Sequence, residues 1–422
     1  MDRYSEYKAS SIQWLKELPS HWGEKRAKYL FQKENRPIRE TDEVITCFRD
    51  GTVTLRRNRR ISGFTESFKE IGYQGIRKGD LVIHQMDAFA GATGVSDSDG
   101  KATPVYSVCT PKSNDIQTIY YGKIVRLMGL NGYIQSLYRG IRERSSDFRF
   151  ETFAKQTLPI PPLAEQEQIV KFLESKTSNI DEYVAERERE LRLLNELKES
   201  EIANVITHGL NPNVKMKNSL TTFFGLIPRH WEERKIKYCF IERSEKNHPN
   251  EPVLCATQSQ GVIPQSLYQN RVVVVNKGFE GLKFVRVGDF VISLRSFEGG
   301  IEYAYYQGII SAAYTILEPL VKENTEYFKL LFKCYPFIQL LQTCVTGIRE
   351  GQNINYQLLA RKFIPIPPLE EQRDIVAHIE LKCSKVNALI TELEAEIEYL
   401  KEYKQSLIAD CVTGQINVQN EL

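Results

Sequence analysis

Leu158-Pro159-Ile160-Pro161-Pro162-Leu163-Ala164-Glu165-Gln166 is the stretch that decides the architecture, because Ile364-Pro365-Ile366-Pro367-Pro368-Leu369-Glu370-Glu371-Gln372 repeats it at an offset of 206 (158 to 364). Each box ends in a proline pair and reads as a helix start. Proline suits the first helical positions, and Glu165 or Glu371 falls in the first turn, where the helix dipole favours negative charge. A seven-residue apolar period follows each box. In the second copy Ile379, Val386, Leu393, Leu400 and Leu407 form one row, and Cys383, Ile390, Ile397, Lys404 and Cys411 form the other. The first copy is looser, with Leu173, Ile180, Arg187, Leu194 and Glu201 against Thr177, Val184, Leu191, Lys198 and Val205. A narrow seam over five heptads predicts a coiled coil interrupted by polar residues, with the faces carrying Glu186, Arg187, Glu188, Arg189 and Glu190 solvated. Gly209 and Gly414 stop the two helices after Thr207-His208 and Thr413. The extra His208 in the first copy puts residue-for-residue superposition of the two ends in doubt.

Working outward, the repeat extends to a whole domain. Leu18-Pro19-Ser20-His21-Trp22 returns as Ile227-Pro228-Arg229-His230-Trp231, an offset of 209 (18 to 227). Arg77-Lys78-Gly79-Asp80-Leu81-Val82-Ile83 faces Arg286-Val287-Gly288-Asp289-Phe290-Val291-Ile292, and Gly140-Ile141-Arg142 faces Gly347-Ile348-Arg349. So long a period means a duplicated domain plus linker, not a stacked solenoid. Between the anchors the copies have little in common, which suits one scaffold recognising two different things; drifted loops on a tolerant fold are the plainer alternative. The boundaries expected are 1–157 and 214–363 for the globular units, with helical spacers at 158–213 and 364–422. If the first helix leads to the second unit, the second helix pairs with it only by running back. The pair is therefore expected to be antiparallel, separating the units by about 60 Å for some 40 residues. A generic dimerisation coiled coil would leave the duplication unexplained.

The globular units read as mixed α/β, with strands at Asp80-Leu81-Val82-Ile83 and Arg271-Val272-Val273-Val274-Val275 and a helical stretch from Thr325 to Leu341. Gly79-Asp80 and Gly288-Asp289 are read as structural turns into strands, and the two His-Trp pairs as packing elements. At 422 residues the chain holds about three domain-sized units. The polar start Met1-Asp2-Arg3-Tyr4-Ser5-Glu6 is no signal peptide, and no apolar run approaches the roughly 20 residues of a membrane span, so a cytoplasmic protein is expected. The eight cysteines show no C-x-x-C pair and are read as reduced core thiols without a zinc site.

A net charge of +2 does not by itself announce nucleic acid, but its distribution is informative. Arg56, Arg57, Arg59 and Arg60 crowd around Asn58, and Arg139, Arg142, Arg144 and Arg149 recur near the end of the same unit. Arginine neutralises phosphate and reads guanine edges bidentately, so two clusters in one unit favour DNA contact over a merely solvated face. Candidate base readers follow Thr46 and Thr257, where Arg49-Asp50-Gly51 faces Ser259-Gln260-Gly261 beside Gln258; Arg295, Arg142 and Arg349 complete the set. There is no phosphate loop, dinucleotide turn, H-E-x-x-H helix or Asn/Asp-Pro-Pro-Tyr/Phe loop, which points to a binding module and not an enzyme.

The two His-Trp motifs, the two proline boxes, the long heptad helix after each and the glycine terminators, in this order over the whole chain, resemble the specificity subunit of type I restriction-modification systems. The resemblance implies two target-recognition domains, each reading one half of a split, asymmetric DNA site in the major groove, with helices that fix the spacing in a pseudo-two-fold arrangement. It also implies docking of two modification subunits along helices whose seam holds Leu173, Ile180, Leu191, Leu194, Ile379, Val386, Ile390, Leu393, Ile397 and Leu400. No cofactor is expected on this chain; S-adenosylmethionine belongs to the modification subunits, and ATP and magnesium to the restriction subunits. A structural coiled-coil scaffold without DNA recognition is the alternative, and a self-sufficient nuclease or methyltransferase lacks a cofactor motif.

Overall fold

The computed structural model describes residues 2–59, 71–137, 147–268, 278–320, 324–347 and 353–419. Its contacts divide the chain into two compact units, Met1–Arg187 with Glu396–Leu422 (unit 1) and Glu188–Ala395 (unit 2). The fold is mixed α/β, and two long helices, Leu163–His208 of 46 residues and Leu369–Val412 of 44, join the domains. The division by packing cuts through both helices and gives each unit one half of each.

Both units repeat one topology. Unit 1 has a four-stranded antiparallel sheet in the order Phe31–Lys33, Tyr106–Pro111, Leu81–His84, Thr93–Val95. Unit 2 has Phe240–Arg243, Thr315–Pro319, Phe290–Ile292, Glu302–Tyr303 in the same order. The turn glycines before the third-listed strands, Gly79 (φ 92°) and Gly288 (φ 99°), adopt the left-handed backbone that favours glycine. The aspartates after them are buried and structural, as the sequence suggests. Asp80 accepts from the Arg77 amide at 2.7 Å and holds Arg36, and Asp289 accepts from the Arg286 amide at 2.6 Å and holds Arg243. Burial raises the pKa of Asp289, and Arg243 opposes the rise. The strand expected at Arg271–Val275 lies outside the described residues. The single helix expected from Thr325 to Leu341 is two, Thr325–Lys333 and Tyr335–Gln342. Pro336 explains the break: it has no N–H to donate back to Phe332 and its ring would clash with that carbonyl, so it fits only in the first turn of a new helix, which Cys334 caps in an extended conformation at φ −71°, ψ 147°.

The repeated boxes interlock with the repeated His-Trp motifs. In unit 1 the Trp22 indole is fully buried and donates to Glu165 Oε2 at 2.5 Å, His21 Nε2 lies 2.8 Å from Glu165 Oε1, and Gln419 also donates to that oxygen. Gln166 ties the box to the core by accepting from the Gln117 amide and donating to the Pro161 carbonyl, each at 2.9 Å. In unit 2 Gln372 likewise donates to Pro367 at 2.9 Å, and His230 Nε2 sits 2.7 Å from Glu371 Oε2. There the Trp231 indole nitrogen is buried without a hydrogen-bond partner among the described residues. The terminator glycines back onto the same tryptophans: a Cβ on Gly414 (φ 71°) would lie 2.9 Å from Trp22, and one on Gly209 (φ 74°) 3.2 Å from Trp231. The helix ends differ in length, as His208 suggests, for the first helix runs through His208 and the second stops at Val412.

This inequality sets an expected stability difference. The Glu165 side chain is 6% exposed and accepts from three side chains, whereas Glu371 is 24% exposed. Glu165→Ala is expected to cost about 2–3 kcal/mol, because it strands a buried indole N–H, and Glu371→Ala about 1 kcal/mol or less. Denaturant unfolding of the two variants measures this; equal losses would mean that the indole bond contributes nothing.

Each unit holds its halves of the long helices antiparallel. In unit 1 Asp181 pairs with Lys404 and Tyr183 with Glu396; in unit 2 Lys198 pairs with Asn387 and Glu201 with His378. Of the expected seam residues, Leu173, Ile379, Leu393 and Ile397 are buried, and Ile180, Leu191, Leu194, Val386, Ile390 and Leu400 are half-buried. Two of the polar interruptions are ties across the seam. Lys198 donates to Asn387 Oδ1 at 2.7 Å, and Lys404 reaches both oxygens of Asp181 at 2.6 Å. Both lysines and both acceptors are 206 positions apart, so the same tie occurs once in each unit. Polar residues at such positions fix register at some expense of stability.

Candidate nucleic-acid interface

In unit 1 the strands Ile45–Cys47 and Val53–Leu55 form a hairpin that carries Arg49 and Asp50 at its tip. The turn closes through Phe48 N to Thr52 O at 2.8 Å and Gly51 N to Phe48 O at 3.0 Å, with Gly51 at φ 88°. A short 3-10 turn, Arg56–Asn58, follows the hairpin and returns the arginine run towards the tip. Arg59 bonds Asp50 at 2.5 Å and lies over the Phe48 ring, Arg49 meets Asp87 at 2.9 Å, and Arg57 meets Glu43 at 2.7 Å. Arg56 donates to Thr46 at 3.4 Å. The run is thus a set of arginines, half-buried at Arg56 and exposed at Arg57 and Arg59, each held near a carboxylate or a hydroxyl. Beneath the tip is Arg126, from the helix Thr118–Leu130, whose side chain fills the space that a Cβ at Gly51 would take. Burial lowers the Arg126 pKa against the pull of Asp50.

Unit 2 builds the matching hairpin from Leu254–Thr257 and Gly261–Pro264, with Gly261 at φ 73°, but its tip carries Gln258, Ser259 and Gln260. This tip borders a cavity of about 480 Å³ lined also by Tyr303, Tyr305, Lys329 and Lys333. The Lys329 ammonium lies 3.9 Å from the Tyr303 ring centre and 4.7 Å from that of Tyr305. Lys333 donates to the Gly299 carbonyl at 2.9 Å and to Gln258 at 3.2 Å, and holds buried Glu302, whose carboxyl burial keeps above the usual range. Polar amides, aromatic faces and fixed ammonium groups in one concavity can hydrogen-bond base edges and phosphates.

The structure brings Arg49, Arg56, Arg57 and Arg59 together in unit 1, and Gln258 and Gln260 in unit 2. Arg295 is exposed, next to the short helix Ser296–Gly299. Arg60, Arg142 and Arg349, with Arg139 and Arg144, lie outside the described residues. Arg149 is bound to Asp147 at 2.6 Å. Sequence reasoning did not find Arg126, Lys329 or Lys333, which sit on helices with no local signal; Tyr303-Ala304-Tyr305-Tyr306 was an aromatic run that could have been singled out. Seven of the eight cysteines are buried and all are free thiols. Among the described residues no group of three or more His, Cys, Asp or Glu could hold a metal ion, and no helix is long and apolar enough to cross a membrane.

Residues 106–192 match the family model for the type I restriction modification DNA specificity domain. The chain is 27% identical over 275 residues to a protein of Methanocaldococcus jannaschii named as the type I restriction enzyme MjaX specificity subunit, an alignment covering 62% of this chain and 60% of that protein. It is 22% identical over 329 residues to the EcoBI specificity subunit of Escherichia coli, covering 72% and 68%. The chain thus spans less than two thirds of the archaeal relative. In three dimensions it is similar to a solved chain from work on complex assembly and conformational transition of the type I R-M system, with a TM-score of 0.68 at 18% identity over 94% of this chain and 99% of that one.

Proposed function

We propose that this chain is the DNA-specificity subunit of a type I restriction-modification system, with recognition domains over 1–157 and 214–363 and helical spacers over 158–213 and 364–422. The observation that carries this is one hairpin built twice on one topology with different chemistry at its tip, Arg49 and Asp50 in unit 1 and Gln258 to Gln260 in unit 2. Two equivalent scaffolds with unlike tips suit a bipartite, asymmetric target. Arginine favours guanine and glutamine adenine in the major groove. Arg56, Arg57, Arg59 and Arg60, with Arg142, Arg295 and Arg349, contact the site or its phosphates. The exposed carboxylate pairs of Arg57 and Arg59 are worth about 0–1 kcal/mol each, so a phosphate can displace the carboxylate.

The chain itself does no chemistry. Two modification subunits dock along the helices, bring S-adenosylmethionine and methylate adenine, and restriction subunits using ATP and magnesium join for cleavage. The subunit's task is to hold two readers in register on one DNA duplex. Replacing Lys215–Lys362 by the equivalent segment of a relative is expected to change one half of the methylated sequence and leave the other as it was. Methylome sequencing reads the outcome, and a simultaneous change in both halves would defeat modular reading.

A further inference from the structure

Each reading hairpin has a cation beneath it, supplied by a supporting helix, and the two cations differ in what they hold. The helices Thr118–Leu130 and Thr325–Lys333 correspond at an offset of 207 (118 to 325). The amides of Gln117 and Asn324, just before them, donate to the box glutamines Gln166 and Gln372. On this alignment Arg126 and Lys333 are the same position (126 to 333). In unit 2 the Lys333 ammonium has all three of its N–H groups taken, by the Gly299 and Gln258 carbonyls and by buried Glu302. Glu302 stands opposite Val291 in the sheet. The corresponding place in unit 1, opposite Val82, is Gly94, so Arg126 lacks the carboxylate that its counterpart has.

The hairpin of unit 1 leaves no room for that carboxylate, because a Cβ at Gly94 would collide with the Gly51 carbonyl at the tip. The Arg126 stem packs under the same turn: a Cβ on Gly51 would lie 2.7 Å from its Cδ and 2.8 Å from its Nε. Arg126 is half-buried, and among the described residues its guanidinium makes no ion pair. Its one hydrogen bond is long, 3.5 Å to the Gly91 carbonyl, so most of its N–H donors have no acceptor. The carboxylates beside the tip are engaged by other arginines, Asp50 by Arg59 and Asp87 by Arg49. A cation taken part of the way out of water without a counterion is costly, and burial lowers the Arg126 pKa accordingly.

We propose that Arg126 is a recognition residue of unit 1, whose guanidinium takes from the DNA the acceptors that Lys333 finds inside unit 2. The inference rests on the DNA-reading role proposed above and extends it from the hairpin to the helix beneath. A planar guanidinium donates two parallel bonds, and either a guanine edge or a phosphate accepts them. The two units therefore differ below their tips as well as at them. Unit 2 closes its cation internally with Glu302, whereas unit 1 holds its cation under a glycine turn and completes the site only when DNA is bound.

The test uses the full chain assembled with its modification subunits, and a duplex carrying the motif that methylome sequencing gives for the wild-type complex. Arg126→Met keeps an unbranched stem under Gly51 and removes the charge. It is expected to weaken binding of that duplex roughly tenfold or more. If the acceptor is a guanine, one G·C pair becomes degenerate in the methylated motif, within the half that exchange of Lys215–Lys362 leaves unaltered. If it is a phosphate, the motif stays and the salt slope of binding falls by about one. The thermal midpoint of the complex should hold for Arg126→Met and fall for Lys333→Met, which strands buried Glu302. Wild-type affinity, slope and motif in Arg126→Met overturn the assignment, and so does a midpoint lowered as far as in Lys333→Met, which would make Arg126 a strut. If the methionine variant does not assemble, Arg126→Lys is read in the same assays. It keeps the charge but not the fork, so several-fold weaker binding is expected, and wild-type binding overturns the assignment. A wild-type complex that neither binds nor methylates DNA overturns the subunit role instead.

Discussion

Four residues inserted into each long helix, after Glu190 and after Glu396, are expected to transfer methylation to a DNA target whose two halves lie roughly one or two base pairs further apart. The positions are equivalents in the duplication, so the antiparallel partners stay matched in length. Each helix gains about 6 Å at about 1.5 Å per residue, against about 3.4 Å for a base-pair step. Four residues also add a rotation of about 40° at 3.6 residues per turn, close to the roughly 35° twist of one base pair, so the longer spacing is compatible in phase as well. Both half-site sequences should remain as they were. Insertion in one helix alone shifts one seam against the other and should abolish methylation. Activity of the doubled insertion only on the original spacing would show that the helices do not set the distance.

Ile390→Asp combined with Ile397→Asp is expected to abolish assembly of an active complex. Ile397 is buried and Ile390 half-buried in the second helix's seam. Each aspartate loses the apolar burial and places a carboxylate in an apolar heptad row, an effect of about 3 kcal/mol at Ile397 and less at Ile390. Together they consume a large part of the margin by which a domain is stable. Methylation in cells should fall to background while each unit keeps its strands, which far-ultraviolet circular dichroism follows. Normal methylation by the double variant would mean that the seam is not formed along this row.

The long helices were legible because their signal is periodic and local. Leu173 to Val205 and Ile379 to Cys411 state their seam in one dimension, and even Lys198 and Lys404 fall on it. The paired topology was legible as duplication but not strand by strand, since strands this short, most of them of two to five residues, carry too little alternation. The break between Thr325–Lys333 and Tyr335–Gln342 turned on Pro336 alone, within a stretch otherwise apolar at helical spacing. The segments after Thr46 and Thr257 were singled out for their arginine and glutamines but not as hairpins, although Gly51 and Gly261 share the left-handed backbone that favours glycine in both copies. What surrounds them was not legible: Arg126 and Lys333 reach the tips from helices about 75 positions away, a closeness that no spacing in the chain encodes. The partnership of Glu165 with Trp22 was likewise visible only as two separate repeats.

The latch at the end of the second helix has a bearing on biosynthesis. Val418 is buried, Asn417 N donates to Asp2 O at 2.8 Å, and the Tyr7 and Tyr120 hydroxyls donate to the carbonyls of Gly414 and Val412. Unit 1 therefore draws its last core residues from beyond position 395, while unit 2 is contained within 188–395. On the ribosome, where earlier segments generally fold first, the order is inverted: the unit whose translation begins first is the one that closes last. Its tryptophan, Trp22, waits for Gly414 through nearly four hundred residues of synthesis, and throughout that interval the face the latch will cover is open to chaperones and proteases.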